Sequence, residues 1–522
     1  MSHTLSGSLN NAVTLASGGA YASPLTITGT ILVGSGAALF VTNPWDISLS
    51  GDLLGATGVG DLLQATSLIT LQNSGTIANG YSGVDLYVGG GVTNNAGAVI
   101  SGSQFGINAY AAGQSPPNGI FFSVSNAGYL GGQRQAGIFG GYGAVSNDRT
   151  GTIFGGRFGV LDVMTVDNSG IIQGRTYDGV GFETGGTLTN HADASITGGS
   201  TGVYSFYNSF SDVYNAGTIL GGSGDGVEIG SGAVTNVGGG TISGGYNGVY
   251  LRHPASLTNA GVIIGLNDGG TGVTLSQGGD ITNTGTIEGY TGIRINSGSI
   301  TNAGFIAGET LSHATGLLAP SAAGVAVDFT AAGNFIEDGP GIVLGSIIGD
   351  GGTLWLDGGS LTGVSGFAAD VFGPDAGATL ATRLAGLGTI SGFGASDGLL
   401  VTDQTASGGI FLNHELTLSN HATLSFAGSY GENAFNVSTG ANGTLIEMVT
   451  CFVRGTRLTT ARGPVPVELL THEDELQTLH AGLRKIKWIG RRAYSTPFAN
   501  HEKLLPICIK EPLHNIMIPC SF

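Results

Sequence analysis

Residues 257–308 read LTNAGVIIGLNDGGTGVTLSQGGDITNTGTIEGYTGIRINSGSITNAGFIAG, and this stretch repeats one pattern three times. Each unit runs Asn, a small residue, Gly, any residue and Ile, then a Gly-rich turn, then Gly-Val or Gly-Ile, and returns to Thr-Asn. A fixed period within a sequence marks a repeat architecture, in which each unit packs mainly against its neighbours. The repeat therefore decides the fold of this part of the chain.

The Asn that opens each unit recurs outside this stretch, with a spacing near 22 residues. One longer gap contains the segment GQSPPNGIFF at 113–122, and an insertion that leaves the period intact on both sides belongs on a loop. The recurring positions are Asn73, Asn95, Asn126, Asn147, Asn168, Asn190, Asn215, Asn236, Asn259, Asn283 and Asn302.

The apolar residues within a unit alternate with polar ones. In TGIRINSGSITN, Ile293 and Ile295 are apolar whereas Arg294 and Asn296 are polar, which is the two-residue period of a strand. Each apolar run is too short for a helix and ends at Gly or Asn. These features predict an all-β fold, a parallel β-helix of about 22 residues per coil. That the β-helix is right-handed is what the resemblance to known β-helical repeats implies.

Stacked coils predict an interior column of isoleucines, since one coil cannot bury its own apolar side. Gly at the corners is expected to supply positive φ, and Asn at the other corner to accept a left-handed backbone and to form amide ladders between coils. The predicted column contains Ile77, Ile153, Ile172, Ile196, Ile219, Ile242, Ile263, Ile287 and Ile306.

Charge divides the chain near residue 450. Residues 1–450 contain seven Arg, no Lys and 29 acids, for a net charge of −22, whereas residues 451–522 carry a net +4. An acidic surface of this kind argues against nucleic acid or an anionic membrane as partner. No apolar run approaches the roughly 20 residues of a membrane span, and no ordinary signal peptide is visible. All three cysteines lie after residue 450, so no disulfide is expected in the repeats.

Four regions are predicted from these changes in pattern. Residues 1–72 form a β-rich cap with irregular coils, 73–345 the regular β-helix, and 346–450 a wider, β-rich continuation that closes it. Residues 451–522 form a separate C-terminal domain.

One predicted outward face has aromatic residues on it. The residue after each Gly-Val or Gly-Ile points away from the core, which places Tyr204 and Tyr250 on this face, with Tyr87 and Tyr110 two positions further along it. Exposed tyrosines among polar groups are suited to sugar rings, so these four residues are a candidate glycan-binding face. The alternative is that the rings only stack along the β-helix.

An enzyme that acts on polysaccharides is a further alternative. Such chemistry needs paired carboxylates or a metal, and the outward acids Asp85 and Glu228 are expected to be isolated. No metal site and no cofactor are predicted, because the Asp of GGSGDG at 221–226 is misplaced for a calcium β-roll and the motif does not recur.

The C-terminal sequence resembles the bacterial Hint family, which shares its fold with hedgehog autoprocessing domains and inteins. The resemblance rests on CFVRGTR at 451–457, Arg462-Gly463, Val-Pro-Val-Glu-x-Leu at 465–470 and WIGRR at 488–492. It covers residues 451 to about 510, and Hint segments commonly follow Gly-rich, autotransporter-like β-helical repeats. The repeats themselves resemble bacterial surface adhesins.

This resemblance implies a self-cleavage chemistry centred on Cys451. Its thiolate would attack the carbonyl of Thr450 and convert the peptide bond to a thioester, while a Ser/Thr-x-x-His block supplies a proton. That block is absent here, so the Hint domain is expected to be truncated and inactive, with Cys451 an ordinary thiol and Trp488 partly exposed. The favoured interpretation is an extracellular or cell-surface adhesin-like protein that contacts glycans. The alternative is a self-cleaving protein.

Overall fold

The fold is all-β and divides into two compact units, Met1–Gly352 and Thr353–Phe522. It comes from a computed structural model that describes residues 3–109, 122–311, 318–320, 324–338, 341–373, 377–432, 434–440, 442–448, 457–478, 482–486 and 489. Within these residues, the only helical elements are two short 3-10 turns, Leu384–Gly386 and Val467–Leu469. No helix in this part of the chain is long or apolar enough to cross a bilayer.

The first unit is a parallel β-solenoid with coils about 22 residues apart, which confirms the predicted fold class. Each coil contributes a strand to three sheets, and strands of successive coils pair in parallel from His3 onward. Sheet 1 consists of His3–Leu5, Leu25–Ile27, Trp45–Leu49, Ile69–Asn73, Gly90–Asn94, Phe122–Asn126, Gly143–Asn147, Thr165–Asn168, Gly186–Asn190, Phe210–Asn215, Ser231–Asn236, Ala255–Asn259, Gly279–Asn283, Gly298–Asn302 and Gly333–Asp338.

Sheets 2 and 3 share the long strands Thr76–Leu86 and Val99–Asn108. The other strands of sheet 2 are Ser8–Leu9, Thr30–Val33, Asp52–Val59, Tyr129–Gly132, Thr152–Gly155, Ile171–Gly174, Ser195–Gly198, Thr218–Gly221, Thr241–Gly244, Val262–Gly265, Thr286–Gly289, Phe305–Leu311 and Ile342–Leu344. Those of sheet 3 are Val13–Leu15, Leu39–Val41, Leu63–Ala65, Ala136–Phe139, Phe158–Leu161, Val180–Phe182, Val203–Ser205, Val227–Ile229, Asn247–Leu251, Thr271–Leu275, Thr291–Ile295, Val325–Phe329 and Ser346–Ile348. Leu318–Pro320 pairs antiparallel with Phe305–Leu311.

The predicted isoleucine column forms the centre of the core. Ile153, Ile172 and Ile196 are direct neighbours in sheet 2, and all nine predicted isoleucines are fully buried. Each buried side chain of this kind contributes roughly 1.5–3 kcal/mol by leaving water. The column continues through Ile100 and Leu130, which fill the coils next to the insertion.

The Asn side chains form a continuous amide ladder inside the solenoid. Each Nδ2 donates to the Oδ1 of the Asn in the next coil at 2.8–2.9 Å, from Asn73 through to Asn302. The ladder member in the second of these coils is Asn94, so the assignment of Asn95 was wrong. Asn94 lies in register with Asn73 and Asn126, whereas Asn95 is one residue further on and donates to the Ser74 hydroxyl.

The expectation about the Asn corner was also wrong, whereas corner glycines such as Gly232 and Gly279 do have positive φ. The ladder asparagines end the strands of sheet 1 and are not among the described residues with positive φ, so no left-handed backbone is needed there. The Gly that follows is selected by crowding: a Cβ on Gly170 would lie 2.3 Å from the Gly151 carbonyl oxygen and 2.8 Å from Asn147 Nδ2. Coils approach too closely at this position for any side chain.

In the second unit, parallel pairing gives way to antiparallel pairing. Strands Thr353–Asp357, Ala369–Phe372 and Thr389–Ser391 stack in parallel, as do Ser360–Thr362, Thr379–Thr382 and Gly398–Val401. The antiparallel strands are Gly409–Leu412, Glu415–Leu418, Thr423–Ser425, Phe435–Gly440 and Gly443–Met448, and Val364–Ser365 is a short separate strand. A cluster of aromatic rings fills their core, formed by Phe372, Phe393, Phe411, Phe426, Tyr430 and Phe435.

A four-stranded antiparallel sheet follows at the C-terminal end of the described residues. Its strands are ordered Gly463–Pro466, Arg457–Thr460, Glu475–Thr478 and Gly482–Lys485. Antiparallel hairpins of this kind contrast with the parallel coils of the first unit.

Candidate functional site

The predicted outward residues of sheet 3 lie where the alternation places them. Tyr204, Glu228 and Tyr250 occupy consecutive coils in one register, while the valines just before them, at 203, 227 and 249, are fully buried. Tyr204 and Tyr250 are half-buried. The two predicted tyrosines therefore share one face, two coils apart.

The other two predicted tyrosines do not join this group. Tyr87 is exposed, and its own coil lies five coils before that of Tyr204, which is about 24 Å at the usual strand spacing. Its hydroxyl accepts a hydrogen bond from Gln64 Nε2 at 3.1 Å. Tyr110 lies outside the described residues. The structure thus brings together Tyr204 and Tyr250 and leaves Tyr87 at a separate place.

A groove of about 360 Å³ opens on sheet 3 beside Tyr204. Ligand sites in proteins span roughly 300–1,000 Å³, so the groove is large enough for part of an oligosaccharide. We call it the sheet 3 groove, and its lining consists of Phe158, Leu161, Tyr177, Asp178, Gly181, Phe182, Glu183, Ser200, Thr201, Tyr204, Phe206 and Glu228.

Small residues open the groove in the middle of an otherwise bulky face. Gly181 occupies the outward position between Leu161 and Tyr204. Because it has no side chain, it leaves a gap between these two side chains. Tyr177 and Phe206 form the rims, with 42% and 50% of their surface exposed. Tyr177 stacks on Phe158 with ring centroids 5.4 Å apart, which fixes its ring at the edge of the groove.

Arg252 contacts three tyrosine rings at one end of the groove. Its guanidinium pairs with Glu228, with Nε donating to Oε1 at 2.9 Å, and lies within 5.6–5.9 Å of the ring centroids of Tyr204, Tyr207 and Tyr250. A cation held among ring faces orients them and adds cation–π stabilisation. Arg252 therefore links the rings of Tyr204 and Tyr250 across two coils.

Buried carboxyl groups lie along the groove, and sequence reasoning missed them. Asp178 is 9% exposed, and burial raises its pKa to about 7, with a hydrogen bond from the Thr201 backbone opposing this shift and Glu228 adding to it. Burial likewise raises the pKa of Asp225 and of Asp162 to about 6. Near neutral pH, Asp178 is present in both protonation states, so it can donate or accept a hydrogen bond.

The residue before each Gly-Val or Gly-Ile could have indicated these buried acids from the sequence. That position is polar in six successive coils and is buried in all of them, which marks a polar column directly under the outward face. Within it, Asn247 donates to Asp225 Oδ1 from both its backbone and its side chain. The column consists of Asp178, Thr201, Asp225, Asn247, Thr271 and Thr291.

The expectation that the outward acids are isolated was wrong. Asp85 is buried and hydrogen-bonded to Asp61, and burial together with that second carboxyl raises its pKa well above the usual range. Asn108 Nδ2 also donates to Asp85, at 3.2 Å. Glu228 is paired with Arg252, and its charge raises the pKa of both Asp178 and Asp225. Alternation shows that these residues leave the core, but it does not show which neighbours then cover them.

The described residues contain no group of three or more His, Cys, Asp or Glu side chains arranged to hold a metal ion. The lining of the sheet 3 groove offers hydrogen bonding, aromatic contact and charge. These are the interactions by which proteins recognise sugars.

In the C-terminal sheet, Asp474 organises the turn that follows strand Arg457–Thr460. It accepts hydrogen bonds from Arg462 Nε at 2.6 Å, Arg462 Nη2 at 2.9 Å and the Thr471 backbone at 2.8 Å. The Arg462 hydrogen bonds hold the pKa of Asp474 down, at about 2. The hydrogen bonds to Asp474 give Arg462 of the motif a structural role, and Gly463 follows it with a positive φ of 94°. Cys451, Thr450 and Trp488 lie outside the described residues.

In the comparison with known families, residues 450–520 match the Hint domain. No curated protein and no solved structure matches the chain. The match includes Thr450 and Cys451, and it overlaps the four-stranded C-terminal sheet. This chain therefore combines a parallel β-solenoid with a C-terminal segment that matches the Hint domain family.

Proposed function

We propose that this protein is an adhesin-like structural β-solenoid that binds glycans in the sheet 3 groove and carries a Hint segment at its C-terminal end. One observation carries the proposal: the exposed rings of Tyr177 and Phe206 border a groove whose floor contains buried Asp178 and Thr201. Ring faces provide apolar contact for sugar rings, and the polar floor provides hydrogen-bond partners for hydroxyl groups.

The location we propose is extracellular or at the cell surface. It is supported by the resemblance of the repeats to bacterial surface adhesins and by the Hint match that follows them. Fractionation of the producing cells tests it: the intact chain is expected at the surface or in the medium, and retention in the cytoplasm would contradict the location.

A glycan array tests the binding function directly. The double variant Tyr177→Ala/Phe206→Ala removes both rims and is expected to lower glycan affinity about tenfold or more, since an aromatic contact contributes roughly 0.5–1.5 kcal/mol beyond its area. Tyr204→Ala/Tyr250→Ala is expected to lose binding as well. Tyr214→Ala is the control, because Tyr214 is equally exposed but lies on sheet 1. Loss of binding in the control alone would place the site elsewhere.

Self-cleavage at the Thr450-Cys451 bond is a second candidate function, and the extent of the Hint match favours it because both residues fall inside. In this step the Cys451 sulfur attacks the Thr450 carbonyl, the C–N bond breaks as the C–S bond forms, and the thiol proton passes to the freed amine. A positioned proton donor contributes typically 10²–10⁴-fold to such a step.

We expect the bond to stay intact in this chain, because no histidine in residues 451–522 lies in a Ser/Thr-x-x-His setting. Incubation with dithiothreitol decides between the two functions, since an added thiol cleaves a thioester. A single band of 522 residues supports the structural proposal. Fragments of 450 and 72 residues that disappear in Cys451→Ala would establish self-cleavage instead.

A further inference from the structure

We infer that the sheet 3 groove selects glycan chains with free amino groups, and that it rejects chains of uronic or sialic acids. This inference rests on the proposed glycan-binding function and adds the class of ligand. The shape of the groove admits any sugar ring of suitable size, so the selection must come from charge.

The lining of the groove is acidic and has no cationic side chain of its own. Asp178, Glu183 and Glu228 are the ionisable acids of the described lining, which contains no Lys, Arg or His. Two cations close to the lining are already engaged: Arg252 pairs with Glu228, and Arg157 lies 4.6 Å from the ring centroid of Tyr177. Asp178 and Glu183 thus have no cationic partner within the lining.

Carboxyls just behind the lining increase this negative potential. Burial is the main cause of the raised pKa values of Asp162, Asp178 and Asp225. The charge of Glu183 raises the pKa of Asp162 further, and the charge of Glu228 does the same for Asp178 and Asp225. Raised pKa values show that burial and like charges disfavour the ionised forms of these groups, although Asn247 and Arg252 oppose the shift at Asp225. A bound cation would stabilise their ionised forms, whereas a bound carboxylate would be repelled.

An amino sugar matches both parts of the groove. Its ring provides the apolar face that contacts Tyr177 and Phe206, and its ammonium group provides donors for the Asp178 and Glu183 carboxylates. An ammonium group near the Tyr204 ring would also gain a cation–π contact. An N-acetylated sugar keeps the ring but loses the charge, and a uronate reverses the charge.

The experiment measures binding of the full chain to three hexasaccharides: β-linked glucosamine, its fully N-acetylated form and galacturonic acid. The glucosamine chain is expected to bind roughly 10- to 100-fold more tightly than the N-acetylated chain, the range for a hydrogen bond to a charged group. The galacturonate chain is expected to show no binding at the same concentrations.

Two conservative variants test whether Asp178 and Glu183 cause this preference. Asp178→Asn and Glu183→Gln keep the shape of each side chain and are expected to reduce the preference for the glucosamine chain about tenfold each. Glu183 is exposed, so its replacement leaves folding unchanged. Asp280→Asn, an exposed acid on sheet 1, is the matched control and is expected to keep the preference.

The outcomes separate this inference from the proposed function. Equal affinity for the two glucosamine chains, with both lost in Tyr177→Ala/Phe206→Ala, would overturn the amino-group preference but leave the glycan site in place. A preference that survives in both acid variants would also overturn it. Absence of binding to every glycan on an array would overturn the proposed function itself.

Discussion

At the scale of single residues, Asp370 is expected to make the stability of the second unit depend on pH. It is fully buried in an inward position, in register with Leu354 and Ile390. Its Oδ2 accepts a hydrogen bond from the Gly388 backbone at 2.8 Å, while Oδ1 has no partner. Burial raises the pKa of Asp370 to about 6, and the Gly388 hydrogen bond opposes this shift.

The sign of the pH effect follows from this raised pKa. The folded state binds the proton more tightly than the unfolded state, in which the pKa is about 3.9. Stability from this group is therefore fully present below about pH 4 and is lost as the pH rises through 6. The total change is about 3 kcal/mol, at 1.36 kcal/mol per unit of pKa.

The variant Asp370→Asn is expected to weaken this dependence. Between pH 5 and pH 8, the melting temperature of the second unit should fall less in the variant than in the parent, since Asn has no charge to bury. Melting followed by circular dichroism at both pH values measures the difference. Glu415→Gln, at an exposed position of the same unit, serves as control. The same pH slope in Asp370→Asn and in the parent would contradict the role of Asp370.

At the scale of elements, the amide ladder couples neighbouring coils of sheet 1. Asn190 Nδ2 donates to Asn215 Oδ1 and to the Thr218 carbonyl, and its Oδ1 accepts from Asn168 Nδ2. Asn73 begins the ladder, because the preceding coil has Leu49 in that register position. An interior Asn thus forms side-chain hydrogen bonds with two other asparagines, whereas Asn73 forms one with Asn94 alone.

Replacement of Asn190 by Leu is expected to destabilise the solenoid more than replacement of Asn73. The interior change removes two hydrogen bonds between asparagines, one with Asn168 and one with Asn215, and a buried polar group that loses its partner costs about 1–3 kcal/mol. Denaturant unfolding of the two variants gives the comparison, and hydrogen exchange locates the loss in the coils next to residue 190. An equal or larger cost at Asn73 would show that the ladder does not transmit stability between coils.

At the scale of the whole molecule, the repeat pattern predicts which residues form the core. It does not predict which side chains of neighbouring coils contact each other. Alternation identifies Ile287 as inward and Tyr204 as outward because a strand sends successive side chains to opposite faces. It does not distinguish Asn94, the last residue of its strand, from Asn95, which follows directly, because only pairing with Asn73 and Asn126 decides.

The candidate site was predictable only in part for the same reason. Tyr204 and Tyr250 follow from alternation, but the groove depends on a missing side chain at Gly181 and on Asp178 in the coil before Tyr204. Acids such as Asp61 and Asp85 interact although they lie in different coils. The sequence of one coil does not show which residue of the next coil lies beside it. Cys451 follows from the Hint resemblance, and the match over 450–520 includes it.

The central claim is that glycans bind in the sheet 3 groove, and hydrogen exchange with and without a bound glycan tests it most directly. Amides in residues 177–183, 200–206 and 226–229 line or adjoin the groove, so the bound chain is expected to slow their exchange. The matching segments of sheet 1, at 186–190 and 210–215, should exchange as before. Slower exchange in sheet 1 alone, with none around Tyr177 and Phe206, would contradict the proposed site.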